Sequence, residues 1–170
     1  HIESPIISAG HSLGEFSALA IANAFNFEDG LSLVKIRSKS MAQAGLIEKG
    51  AMAVIIGIEH QLFEKICKDY NGPGIVVTAN YNCPGQLVIS GEKESIENAC
   101  KNLIEVGAKR ALILQVGGAF HSPLMKPAKE RLAKAIKKTN FSKAKIKKNK
   151  VKKTKEILEK ELNIKVALPK

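Results

Sequence analysis

Ala9-Gly10-His11-Ser12-Leu13-Gly14-Glu15 is the stretch on which the reading of this chain turns. It lies between a short apolar run, Pro5 to Ala9, and a helix-like run, Glu15 to Phe27. Gly-x-Ser-x-Gly directly after a strand and directly before a helix is the pattern of a nucleophile elbow, a tight turn that projects a serine hydroxyl from the end of a sheet. The residues two places either side of that serine must let the chain pass closely, and Gly10 and Gly14 have no Cβ to obstruct it. The following helix is expected to turn its first N–H groups and the positive end of its dipole toward Ser12, with the Leu13 N–H as first donor of an oxyanion hole.

Downstream, the spacing predicts a small-residue helix over residues 15–25 and a second helix capped by Asn26, with Asp29 in a capping-box-like relation and Gly45 as its stop. Leu31, Val34, Met41 and Ala42 are expected to share its buried face, and Arg37 stands well inside it. The apolar run Ala51–Gly57 then reads as a strand, and Glu59–Tyr70 as a helix with Leu62, Phe63, Ile66, Cys67 and Tyr70 as its apolar stripe. Asn71-Gly72-Pro73-Gly74 is turn chemistry, and strands follow over Ile75–Asn80 and Gln86–Ser90, joined through Asn82-Cys83-Pro84-Gly85. A helix over Glu92–Val106, with Ile96, Ala99, Cys100, Leu103 and Ile104 on one side, and a strand over Arg110–Val116 complete a β-α-β-β-α-β order, the split βαβ of ferredoxin-like folds. Gly117-Gly118 makes a flexible turn, and Ser122 with Pro123 opens a last helix to about Lys138, so His121 sits on a loop between a strand end and a helix start.

A chain of 170 residues with 45% apolar residues can bury a core and suits one domain or two small ones. No apolar run is long enough to span a bilayer, and the N-terminus, which lacks Met, carries no signal-peptide pattern. Three cysteines without metal-ligand spacing (Cys67, Cys83, Cys100) fit reduced thiols in an intracellular protein, and the reading assigns no metal. The net charge of +11 raises nucleic acid as a partner until it is located: eleven lysines and three glutamates fall in residues 143–170, so that stretch alone carries +8. It reads as a solvated tail, and neither nucleic acid nor membrane is expected as a partner.

Gly10-His11-Ser12-Leu13-Gly14-Glu15, Arg37 in Val34-Lys35-Ile36-Arg37-Ser38, and His121 in Gly117-Gly118-Ala119-Phe120-His121-Ser122-Pro123 occur in an order that resembles the malonyl-CoA:acyl carrier protein transacylases and the related acyltransferase domains of fatty-acid and polyketide synthesis. A lone helical arginine would otherwise read as part of a solvated face. The resemblance implies an α/β fold, part of an α/β-hydrolase-like large subdomain with an inserted ferredoxin-like small subdomain. The expected division is 1–49 for the elbow-bearing part of the large subdomain, 50–117 for the small subdomain, 118–142 for the return with the histidine, and 143–170 for the tail, which departs from the family. It implies Ser12 as nucleophile, His121 as its base, Arg37 as the group that binds the malonyl carboxylate through two parallel N–H···O bonds, and Leu13 N–H as an oxyanion donor. Phe120 would limit room beside the acyl Cα, and Asn82 with Gln86 would give a polar lining. The expected partners are acyl carrier protein and a coenzyme A thioester, with no cofactor, in the cytoplasm. The resemblance runs from residue 4 to about 146, the middle of a full enzyme, so a second oxyanion donor and the carbonyl that orients the histidine are expected outside the chain. The alternatives are a serine hydrolase or thioesterase with the same elbow, and an inactive remnant that binds acyl carrier protein or coenzyme A. His11 is expected to support the elbow and His60 to stand at a helix start on the surface.

Overall fold

The computed structural model describes residue 5 and residues 8–144 and has a mixed α/β architecture. The Lys-rich run from residue 145 onward, and Ile6 and Ile7 in the apolar run before the elbow, lie outside the described residues. The chain divides into two compact units, one built on residues up to Lys39 and again from Lys129, the other on Ser40–Ala128.

In the first unit, helix α1 (Gly14–Ile21) is followed by the start of helix α2 (Phe27–Ile47), and the end of helix α5 (Lys126–Lys138) returns to it. Helix α1 stops at Ile21, earlier than the apolar pattern predicts, because Asn23 takes a φ of 55°. The Asn23 N–H then donates to Ala20 O and the Ala24 N–H to Leu19 O, the two bonds of a Schellman close, with asparagine where glycine is commoner. The chain is thereby turned so that Ala24 and Phe25 enter a core with Phe16, Leu33 and Leu132. Phe141 meets the Phe25 ring edge-to-face at 5.6 Å. Asn26 caps α2 as expected, its Oδ1 accepting from Asp29 N–H at 2.7 Å. The expected strand before the elbow is not present at Pro5, Ser8 or Ala9.

Two expectations for α2 are corrected. Its buried positions are Gly30, Leu33, Ser40 and Ala44, while Leu31 is 59% exposed and Ala42 is also exposed. The face is lined by small residues, which a search for large apolar side chains passes over. Gly45 does not end the helix, which continues to Ile47. A Cβ on Gly45 would collide with the Gly117 carbonyl oxygen, so this glycine gives room to the loop before His121.

The second unit holds strands β1 (Gly50–Ile56), β2 (Val76–Cys83), β3 (Gln86–Glu92) and β4 (Arg110–Ile113) in one antiparallel sheet of order β2-β3-β1-β4. Helices α3 (His60–Lys68) and α4 (Lys93–Glu105) follow β1 and β3. Alternate residues of the central strands, Ala51, Ala53 and Ile55 on β1 and Leu87 and Ile89 on β3, join Phe63 of α3 and Ile96, Ala99 and Leu103 of α4 in one core. The register sets Ala53 opposite Ile89 and Ile55 opposite Leu87, which keeps both strands' apolar sets on the same face. Removing a large side chain of this core from water stabilises the unit by about 1.5–3 kcal/mol. Leu62 and Ile104, expected in the two helical stripes, are instead 39% and 44% exposed, each at the margin of its stripe. Strand β4 closes after four residues, shorter than its apolar run, although Leu114 N–H still reaches Met52 O at 2.8 Å.

Candidate active site

Ser12 adopts a φ of 53°, a left-handed conformation that an L-residue with a side chain takes at a cost of about 1–3 kcal/mol. The turn explains why it must. A Cβ on Gly10 would run into the carbonyl of Gly14 and the amide of Glu15, so the chain folds back on itself across Ser12 with only a glycine's clearance. Gly14 is a different case: among the described residues nothing lies within 4 Å of where its Cβ would stand. The close pass therefore constrains only the first of the two glycines.

The first amides of α1 are also not available in the way the sequence implies. Gly14 N–H donates to His11 O at 2.9 Å, Glu15 N–H to Ser12 O at 3.2 Å and Phe16 N–H to Leu13 O at 3.1 Å. These bonds close the turn, and the Leu13 N–H is the amide that directly follows Ser12. Leu13 itself has helical angles, and its side chain is half exposed. Ser8 Oγ donates to Ala18 O at 3.0 Å, tying the approach segment to the helix. Glu15 is buried under the turn, whereas His11 is exposed and supports the elbow through its carbonyl rather than its ring.

Arg37 comes from the interior of α2, half-buried and in helical step with Leu33 and Ser40. Its Nη2 donates to Ser12 Oγ at 2.9 Å. A guanidinium on a rigid helix, in direct contact with a strained serine, places a fixed positive charge where a negative group bound beside Oγ would be held in bidentate fashion.

His121 belongs to the second unit, half-buried, with a φ of 61°. Its loop is fixed from both sides. Upstream, Gly117 and Gly118 lie against Gly45, and Ala119 lies against Gly50; a Cβ on either of these two glycines would displace the loop. Downstream, Ser122 Oγ donates to Ala119 O at 2.7 Å and accepts from Leu124 N–H at 3.3 Å, capping the short 3-10 turn Pro123–Met125 that leads into α5. Phe120 packs against the small cluster of Ala44, Met125 and Ala128. Asn82 is exposed on the β2–β3 hairpin, where its Nδ2 donates to Gln86 Oε1 at 3.0 Å. Ser122 caps this turn as the sequence predicts; the anchoring roles of Gly45 and Gly50 were not foreseen, because their approach to Gly117 and Ala119 becomes visible only once the chain is folded.

The cysteines and His60 have other environments. Cys67 packs against the sheet core and burial pushes its thiol up to about 11, so it stays protonated and unreactive at neutral pH; burial raises Cys100 as well. His60 opens α3 on the surface, its ring 5.0 Å from that of Tyr81. Glu59 caps the same helix by accepting from the Gln61 and Leu62 amides, bonds that hold its carboxyl below the usual range.

An elbow serine under backbone strain thus carries a helix-borne cation on its oxygen; a profile described as the acyl transferase domain matches residues 3–167, and the chain belongs to that family. Within it, the similarity is to malonyl CoA-acyl carrier protein transacylases. The Bacillus subtilis transacylase is 44% identical over 134 residues, which are 78% of this chain and 42% of that protein. The crystal structure of an acyl carrier protein S-malonyltransferase from Vibrio cholerae superposes with a TM-score of 0.81 at 37% identity, over 99% of this chain and 56% of that one. A malonyl-transacylase in complex with its type II PKS acyl-carrier protein matches with a TM-score of 0.79 at 37% identity, over 98% of this chain and 56% of that one. The chain thus spans less than half the length of the Bacillus subtilis relative. No helix among the described residues is long and apolar enough to cross a membrane.

Proposed function

We propose that the protein of which this chain is part transfers a malonyl group from malonyl-CoA to the phosphopantetheine thiol of acyl carrier protein. Ser12 Oγ attacks the thioester carbonyl carbon while His121 takes the hydroxyl proton; the C–S bond breaks, and the departing coenzyme A thiolate takes the proton from the imidazolium. The malonyl-serine ester is then attacked by the carrier thiol through the same steps in reverse, with Ser12 leaving. The Leu13 N–H stabilises the tetrahedral oxyanion in both halves. The observation that carries this reading is the 2.9 Å approach of the Arg37 guanidinium to Ser12 Oγ, because a plain esterase has no need of a fixed cation beside its nucleophile. An acetyl group offers that cation no partner, which favours malonyl.

The roles of His121, Phe120 and Asn82 rest on the likeness of their segments to the transacylases. The chemistry needs neither metal nor cofactor, since nucleophile, base and charge recognition all come from side chains. The finer fold assignment is an α/β-hydrolase-like subdomain around the elbow with a ferredoxin-like insertion, supported by the strand order β2-β3-β1-β4. Acyl carrier protein as partner draws on the complex described above, and a cytoplasmic location on the site of the carrier and its thioesters. The test is intact-protein mass after incubation with malonyl-CoA. A malonyl adduct that vanishes in Ser12→Ala and is weak with acetyl-CoA is expected; an adduct that survives Ser12→Ala, or equal labelling by both thioesters, would overturn the assignment.

A further inference from the structure

We infer that Arg37 and Ser12 form a latch that the substrate's own carboxylate opens. This deepens the malonyl-transfer reading and rests on it. The latch is the Arg37 Nη2 to Ser12 Oγ hydrogen bond at 2.9 Å. In it the serine oxygen is the acceptor, so one of the lone pairs that would attack a thioester is directed at a cation. An oxygen so engaged is a weaker nucleophile than one whose lone pairs are unoccupied, whatever base waits for its proton.

The same guanidinium edge cannot serve Ser12 Oγ and a carboxylate with full strength at once. A carboxylate offers two charged acceptors in the geometry that the guanidinium fork matches, whereas a hydroxyl offers one neutral acceptor, so an arriving malonyl group draws the guanidinium off the serine. An acyl group without a carboxylate has nothing to draw it with, and Ser12 stays engaged. Selection for a carboxylate then acts twice: once in binding the acyl group, and once in readying the nucleophile only when the right group is present. Two features of the chain make the exchange clean. Arg37 stands on the 21-residue helix α2, so its backbone does not follow the substrate. Ser12 is held by its turn at a φ of 53°, so its backbone does not follow the departing guanidinium.

Two ligands that compete for one group weaken each other reciprocally. The Ser12 hydroxyl must therefore lower the affinity of Arg37 for any small carboxylate, and its removal must raise it. The test uses the full chain and free malonate, with the dissociation constant measured by calorimetric or NMR titration for the unaltered protein, Ser12→Ala, Ser12→Gly and Arg37→Ala. Ser12→Gly is included because glycine adopts the positive φ without strain, so the turn keeps its shape. The expected result is malonate binding roughly three- to tenfold tighter in both Ser12 variants, the net worth of one ordinary intramolecular hydrogen bond, and lost in Arg37→Ala. Affinity that is unchanged, weaker or less than threefold tighter in the Ser12 variants overturns the latch while leaving the malonyl reading intact. Malonate that binds none of these proteins, or binds Arg37→Ala as well as the unaltered chain, overturns the latch and the malonyl role of Arg37 together.

Discussion

The two units of this chain are built to opposite plans. The sheet unit closes a core of twelve buried residues between four strands and two helices, so its shape follows from its own interior. The core cluster of the elbow unit has only five buried residues among the described ones, and Ile21, Phe27 and Leu31 stand 53%, 71% and 59% exposed. Yet it is the elbow unit that carries the strained serine and its arginine. The larger core and the strained serine with its arginine therefore lie in different parts of the sequence, and variants in the two parts should fail in different ways.

The largest effect is expected at Phe63, completely buried in the sheet core. Phe63→Ala should cost about 3–5 kcal/mol in chemical denaturation; a loss under 1 kcal/mol would mean that the sheet unit does not carry the stability assigned to it. Gly45→Ala sharpens the comparison, because it sets a Cβ against Gly117 in a helix that alanine should otherwise favour. We expect a destabilisation of about 1–3 kcal/mol where helix propensity alone predicts a gain, together with slower malonyl labelling of Ser12 as the loop before His121 is displaced. Asn26→Ala removes the cap of α2 in the elbow unit and should cost about 1 kcal/mol, read from the denaturation midpoint. The smallest effect concerns Cys67. Its thiol has its pKa raised in the fold, so the folded state resists ionisation that the unfolded chain accepts; stability is full below about pH 9 and falls as pH rises toward about 11. Denaturation at pH 8 and pH 10.5 should show that loss, and Cys67→Ala should abolish the part due to the thiol.

Much of the sheet unit is legible in the sequence because the continuous apolar runs Ala51–Ile56 and Leu87–Ile89 and the helical stripes around Phe63 and Ile96 are all large apolar signals. The elbow is legible for another reason: Gly10 and Ser12 obey a steric rule strict enough to leave its mark in residue identity. What the sequence hides is contact between small residues. Gly45 looks like a helix stop because glycine usually is one, and only the approach of Gly117 gives its true role. The buried face of α2 is missed for the same reason, since Gly30, Ser40 and Ala44 carry no apolar bulk to detect. The turn at Asn23 escapes because asparagine enters the left-handed region less often than glycine. Gly14 shows the reverse error, a glycine whose place in a motif invites a steric explanation that the geometry does not require.

Ser12 and His121 share one property that has a practical cost: each holds a positive φ that a glycine would hold for nothing. A laboratory selection for thermal tolerance or soluble yield, blind to acyl transfer, would thus find its easiest gains at these two positions. On the malonyl-transfer reading, the variants it returned would be sturdier but would lack the nucleophile or its base. Any engineering of this chain toward robustness has to keep both codons out of the library, or score for chemistry at every round.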